Sequence, residues 1–147
     1  MKPQFVIASF GLIFDEQNKI LLCHRLDYDL WNLPGGTMEV GESPWGCVIR
    51  EVKEETGLDV EIIRLAGIYN KPEKSELVFS FICKIIGGQL TLNEEADKIE
   101  YFAIKDIPHN TSPKQVDRIH DVLEKKEIVY KNQTGKSSIE LIKEGKL

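Results

Sequence analysis

The chain has 147 residues, of which 41% are hydrophobic and 29% charged, with a formal net charge of −5. That length and balance predict one globular domain with one core, spanning residues 1–147. The acidic balance argues against a nucleic-acid partner or an acidic-membrane partner, since either needs a basic patch.

Phe5–Phe14 is apolar and β-rich, Asp15–Asn18 is a polar turn, and Lys19–Arg25 (KILLCHR) resumes the apolar pattern, so two strands are predicted. Leu26–Asn32 reads as a loop carrying Tyr28 and Trp31, with Trp31 packing beneath the Leu33-Pro34-Gly35-Gly36 turn. Ser43 followed by Pro44 is a helix start, and Gly57 a helix stop, so a helix is predicted over 44–56. Asp59–Asn70 is a long strand. Lys71–Glu76 is a polar loop with Pro72. Leu77–Ile86 is a further strand, with Gly87-Gly88 turning into a strand over Gln89–Leu92. Asn93–Lys98 is an acidic loop before a strand at Ile99–Ile104. A second helix begins at Ser112-Pro113 and runs to about Lys126, with Val116, Ile119, His120 and Leu123 as its buried stripe. Glu127–Lys131 and Ser138–Lys143 alternate enough to predict a C-terminal hairpin extension within 126–147. Strands outnumber helices, and the order implies an α/β sandwich with a mixed sheet.

The three cysteines, Cys23, Cys47 and Cys83, form no close pair and no CxxC, which excludes a disulfide framework. Cys23 and Cys83 fall in apolar strands and read as buried thiols. His24, His109 and His120 lack zinc spacing. The N-terminus has no signal-type apolar region and no apolar run reaches membrane-spanning length, so a reduced, cytoplasmic protein is expected.

The 44–56 helix carries the chemistry. At about 100° per residue, Glu51, Glu54 and Glu55 fall within roughly a 100° arc. Trp45, Ile49 and Val52 are predicted to form the opposite, buried face, with Val48 on its flank. Three crowded carboxylates raise one another's pKa unless a cation neutralises them. A hard divalent ion, Mg²⁺ or alternatively Mn²⁺, suits an all-oxygen site. Arg50 can tie a carboxylate down from the side. The bare backbone of Gly35-Gly36 allows close approach of a ligand.

Gly36, five residues, Glu42, seven residues and then Arg50-Glu51-Val52-Lys53-Glu54-Glu55-Thr56-Gly57-Leu58 resembles the Nudix box, with its defined positions filled. From about residue 4 to 125 the chain resembles a Nudix domain. The resemblance implies an α/β/α sandwich with the box as a loop–helix–loop. It also implies hydrolysis of a nucleoside diphosphate linked to another group, X.

By that resemblance Glu51, Glu54 and Glu55 bind metal, with the Gly35 carbonyl as a backbone ligand. Arg50 orients the carboxylates and Glu42 is supportive. The general base is a box glutamate, Glu54 among them, or Glu95, whose segment EADKIEYF is similar to the family's later loop; Glu94 is its neighbour. Arg25 matches an arginine that contacts phosphate in MutT-like members, or it pairs with Asp27 or Asp29. Gly36 and Tyr28 are further substrate-side candidates. Phe5, Phe10, Tyr28, Tyr69 and Phe79 are stacking or core rings. Pro72, 15 residues after Gly57, resembles the ADP-ribose pyrophosphatase subgroup. ADP-ribose or another nucleoside diphosphate sugar therefore leads. A MutT-like nucleoside triphosphate pyrophosphohydrolase and a non-catalytic nucleotide-sensing module are the alternatives. The expected partner is a small-molecule nucleotide, and a homodimer stays open.

Overall fold

A computed structural model describes residues 1–147. Four strands come first: β1 (Val6–Ile13), β2 (Ile20–Arg25), β3 (Trp31–Asn32) and β4 (Gly35–Thr37). Helix α1 (Pro44–Thr56) leads into three further strands, β5 (Leu58–Lys71), β6 (Glu76–Gly88) and β7 (Ala96–Phe102). Helix α2 (Pro113–Glu124), β8 (Val129–Asn132) and the short α3 (Ser138–Lys143) finish the chain. Five strands form a mixed sheet in the order β4-β1-β6-β5-β8, and β3-β2-β7 form a second, antiparallel sheet. No helix is long and apolar enough to cross a membrane.

The layering follows from strand alternation. Ile13 of β1 and Leu21 of β2 join Val48 and Val52 of α1 in one buried cluster. Their neighbours Leu12, Ile20 and Leu22 join Ile119 of α2 in another, together with Trp31 and Leu33. Successive strand residues point to opposite faces. The two helices therefore cover opposite sides of the strands, giving the expected α/β/α sandwich.

Three local expectations are corrected. The C-terminal hairpin does not form. β8 adds to the sheet edge parallel to β5, along Gly67–Asn70, and Ser138–Lys143 is helical. The reason is a reciprocal cap: the Ser137 hydroxyl accepts the Glu140 N–H, and the Glu140 carboxylate accepts the Ser137 N–H. Gly87-Gly88 does not turn into another strand either. β6 runs through Gly88, which pairs with Leu58, and a Cβ at Gly88 would lie 2.3 Å from the Gly57 carbonyl oxygen. The glycine serves a close chain crossing rather than a hairpin.

The inward face of α2 is also different. Ile119 is buried as expected, but His120 and Leu123 are exposed while Gln115, Arg118 and Asp121 are buried. These polar groups find partners inside. The Arg118 guanidinium lies 5.4 Å from the ring centres of both Phe10 and Tyr69, and the Tyr69 hydroxyl donates to Asp121 at 2.9 Å. A hydrophobicity stripe does not detect a face built from polar groups that pair inside the fold.

Candidate active site

Helix α1 starts and stops where its end residues dictate. The Ser43 hydroxyl accepts the Gly46 N–H at 2.9 Å, Pro44 takes the first helical position, and Gly57 closes the helix in the left-handed conformation. Its buried residues are Cys47, Val48, Val52 and Thr56. Trp45 and Ile49, expected inside, are 60% and 39% exposed. The helix is thus rotated relative to the predicted face. The carboxylate arc overlaps the inner face rather than opposing it, and Glu51 and Glu55 point inward.

Arg50 holds the acidic surround together. Its Nε and Nη2 donate to both oxygens of Glu42, at 2.6 and 2.9 Å. Nη1 donates to Glu51 at 3.0 Å and to Glu54 at 3.2 Å, and Nη2 reaches the Thr37 carbonyl at 3.2 Å. The two-pronged pairing with Arg50 holds the Glu42 carboxyl at about 2. Glu42 is therefore spent on the arginine.

Glu51, Glu55 and Glu95 offer carboxylate oxygens that lie within 4.8 Å of one another. Burial pushes the Glu55 carboxyl up to about 8, against the pull of the Gly35 N–H and with repulsion from Glu51 and Glu95 added. That N–H donates to Glu55 at 3.1 Å. Burial also raises Glu51, against its bond to Arg50. Glu54 stays outside this group; its side chain is 50% exposed and faces Arg50.

Glu95 comes to the helix through a residue that sequence reasoning missed. The Asn93 side-chain amide donates to the backbone carbonyls of Glu54 and Glu55, while its oxygen accepts the N–H of Glu95 at 2.7 Å and of Ala96 at 3.2 Å. Asn93 ties the end of α1 to the loop that carries Glu95. The signal was present: an asparagine two residues ahead of a loop glutamate is the pattern of a side chain bonding its own backbone two residues on.

A cavity of about 600 Å³ opens beside the carboxylates. Gly35, Gly36, Glu55 and Glu95 line it at one part, with Phe10, Arg25 and Asn32 adjoining. Arg25 pairs with Asp27 at 2.7 and 2.6 Å, as one of its two readings expected, lies over the Tyr28 ring at 5.5 Å and lines the cavity. Pro72 opens a short turn over Pro72–Lys74, is exposed, and does not line the cavity, although its neighbour Lys71 does. Among the candidate rings, Phe10 lines the cavity, Tyr69 is buried and Phe5 is 68% exposed.

The donor set fits a hard divalent cation. It is all oxygen, three carboxylates converge, and oxygens on opposite sides of one magnesium ion lie roughly 4.2 Å apart. The NUDIX domain family matches residues 5–123. The chain belongs to this family. It is a Nudix hydrolase, similar to a MutT-like protein of Streptomyces ambofaciens, with 30% identity over 122 residues, 83% of this chain and 79% of that one. It is also similar to an ADP-ribose pyrophosphatase of Methanocaldococcus jannaschii, 36% identical over 109 residues, 69% of this chain and 64% of that one. Thus the chain covers just under two thirds of that relative's length. The crystal structure of an ADP-ribose pyrophosphatase from Streptococcus suis superposes with a TM-score of 0.72 at 29% identity, over 88% of this chain and 100% of that one. Residues 124–147 lie beyond the family match, yet Ser137, Ser138 and Ile139 line the cavity.

Proposed function

We propose that this Nudix hydrolase cleaves the diphosphate linkage of a nucleoside diphosphate joined to a second group X, and that X is a sugar, with ADP-ribose as the leading case. The observation that carries the proposal is the convergence of Glu51, Glu55 and Glu95 beside a cavity of about 600 Å³. That volume lies within the range of cavities that hold whole small ligands, so it has room beyond a phosphate pair.

Mg²⁺ or Mn²⁺, when bound, supplies positive charge for the phosphate oxygens and makes water easier to deprotonate. Glu51 and Glu55 would hold the ion with the Gly35 carbonyl, and Glu54, which stands outside their group on Arg50, would join them. Arg50 fixes Glu51 and keeps its own charge, since its bonds to Glu42 and Glu51 drive its pKa further upward against burial. Glu95 is the general base or a further ligand. Arg25, beside the carboxylates, contacts a phosphate, and Gly36 lets the backbone approach.

The test is phosphate release, after coupled phosphatase treatment, over ADP-ribose, other nucleoside diphosphate sugars, NADH, diadenosine polyphosphates and nucleoside triphosphates, each with Mg²⁺ and with Mn²⁺. Preferred turnover of a nucleoside diphosphate sugar, lost in Glu54→Gln, supports the proposal. Preferred turnover of a nucleoside triphosphate replaces it with a MutT-like activity. Tight nucleotide binding with no turnover replaces it with a sensor.

A further inference from the structure

The cavity's outer part is built from pieces that the carboxylates do not need. Lys71 ends β5, Ser112 and Gln115 come from the start of α2, and Ser137, Ser138 and Ile139 come from the C-terminal segment. That segment is anchored by buried Gln133. The Gln133 N–H donates to the Asn70 carbonyl at 2.9 Å, its side-chain amide donates to the Lys114 carbonyl at 2.8 Å, and its oxygen accepts the Arg118 Nε–H at 3.0 Å. Two outer ties add to this: Lys114 donates to the Gly135 carbonyl at 3.0 Å, and Lys74 pairs with Glu140 at 2.9 Å.

The charge of this outer part is balanced. Lys71, its one basic residue, pairs with Glu76 at 3.3 Å. What remains is a set of hydroxyls and an amide. Ser112 sits where a helix cap would sit, yet its hydroxyl makes no cap bond; it accepts instead from the Ser138 hydroxyl at 2.9 Å. A capping residue whose side chain leaves its own helix breaks a local rule, and such breaks mark functional sites. Phe10 is the one ring in the cavity wall, so a flat base has a stacking surface there and none among the serines.

We propose that Ser112 and Ser138, with Lys71 and Ile139 around them, form the subsite for the sugar of X. Neutral hydroxyls that both donate and accept match a polyol, and the paired lysine leaves no net charge to favour a further phosphate. The C-terminal segment, outside the family match, is then the part that selects X. This subsite rests on the nucleoside diphosphate sugar reading above.

The test uses the full chain with Mg²⁺ and two non-hydrolysable ligands, α,β-methylene-ADP-ribose and α,β-methylene-ADP, with Kd measured by calorimetry. Replacing both serines, Ser112→Ala with Ser138→Ala, removes a mutually bonded pair and leaves no partner stranded. It should weaken the sugar ligand about tenfold or more, the size of two lost hydrogen bonds. It should leave α,β-methylene-ADP unchanged. Ile139→Trp, which fills the cavity, should give the same selective loss by bulk. Equal weakening of both ligands, or no weakening of either, overturns the subsite while wild-type turnover of ADP-ribose leaves the broader reading intact. Absence of wild-type turnover on every nucleoside diphosphate sugar overturns both.

Discussion

Two adjacent glycines should fail in different ways when each becomes alanine. At Gly35 an added Cβ would lie 2.3 Å from the Ser9 carbonyl oxygen and 2.6 Å from the Phe10 Cα. Those are backbone atoms of β1, with which β4 pairs at Phe10, so the strands must part. The Gly35→Ala change also strains the Gly35 N–H bond to Glu55. Overpacking costs about 1–3 kcal/mol, and the bond to a carboxyl that burial has pushed up to about 8 contributes about 0.5–1.5 kcal/mol. Together that is roughly 1.5–4.5 kcal/mol, or a fall in Tm of about 3–18 °C for a chain of this size. At Gly36 the three atoms nearest the Cβ all belong to the Glu51 carboxylate, its carbon and one oxygen at 2.7 Å. A side-chain end can swing away cheaply, so Gly36→Ala should cost less than about 1 kcal/mol. The swing takes Glu51 out of the group with Glu55 and Glu95. A misplacement of about 1 Å can cost about 10²-fold in rate, so kcat/KM should fall at least that far with Tm nearly unchanged. Thermal unfolding and turnover on both variants read this directly. A fully active Gly36→Ala, or a Gly35→Ala with wild-type Tm, refutes the close-approach account.

Other perturbations probe the carboxylates and their supports. Glu54→Gln should lower turnover by several orders of magnitude with the fold retained; unchanged turnover removes Glu54 from the metal set. EDTA should abolish activity, and added Mg²⁺ or Mn²⁺ should restore it. Asn93→Ala should lower turnover through Glu95, so adding it to Glu95→Gln should cost little more than Glu95→Gln alone; additive losses in the double variant would show that Asn93 acts elsewhere. His24 gives a pH test. Burial opposes its charge, but its ring nitrogens bond Asp29 and Asp97, both at 2.7 Å, and the net shift is upward. A raised folded pKa contributes stability that is complete below about pH 6.5 and is lost as pH rises through the folded value. Urea midpoints should therefore converge between wild type and His24→Gln toward alkaline pH, and a constant difference would contradict the pairing.

Much of this site was legible because its determinants are local. Ser43, Pro44 and Gly57 delimit α1 through their own backbone preferences, and the helical repeat places three glutamates on one arc whatever surrounds them. Which way that arc faces was not legible. It depends on Cys47 and Thr56, whose burial comes from contacts with other elements, while Trp45 and Ile49 are apolar side chains left at the surface. Glu95 was found by resemblance, but its approach to Glu55 depends on Asn93 reaching across to the helix end. The cavity wall was least legible. Alternating residues over 127–143 fit a hairpin as well as anything else until the Ser137–Glu140 cap is seen, and Arg118 lies outside the predicted apolar stripe of α2, its burial set by Phe10 and Tyr69 from distant strands.

That buried arginine links the two halves of the cavity. Its Nη1 has no hydrogen-bond partner, and burial lowers its pKa to about 10, so the charge is held mainly by the two rings and Gln133. An apolar replacement would remove a costly buried charge, yet it would also release Phe10 on one side and the Gln133 anchor on the other. Arg118→Met should therefore leave stability within about 2 kcal/mol of wild type, because the two effects oppose each other. It should nevertheless weaken binding of nucleotide ligands, since the ring that lines the cavity and the segment that walls it both lose their support. Urea unfolding with calorimetric binding separates the two effects. A variant that binds as wild type does would show that Arg118 does not join the wall to the floor, and one that unfolds outright would show that the two stability effects do not offset each other.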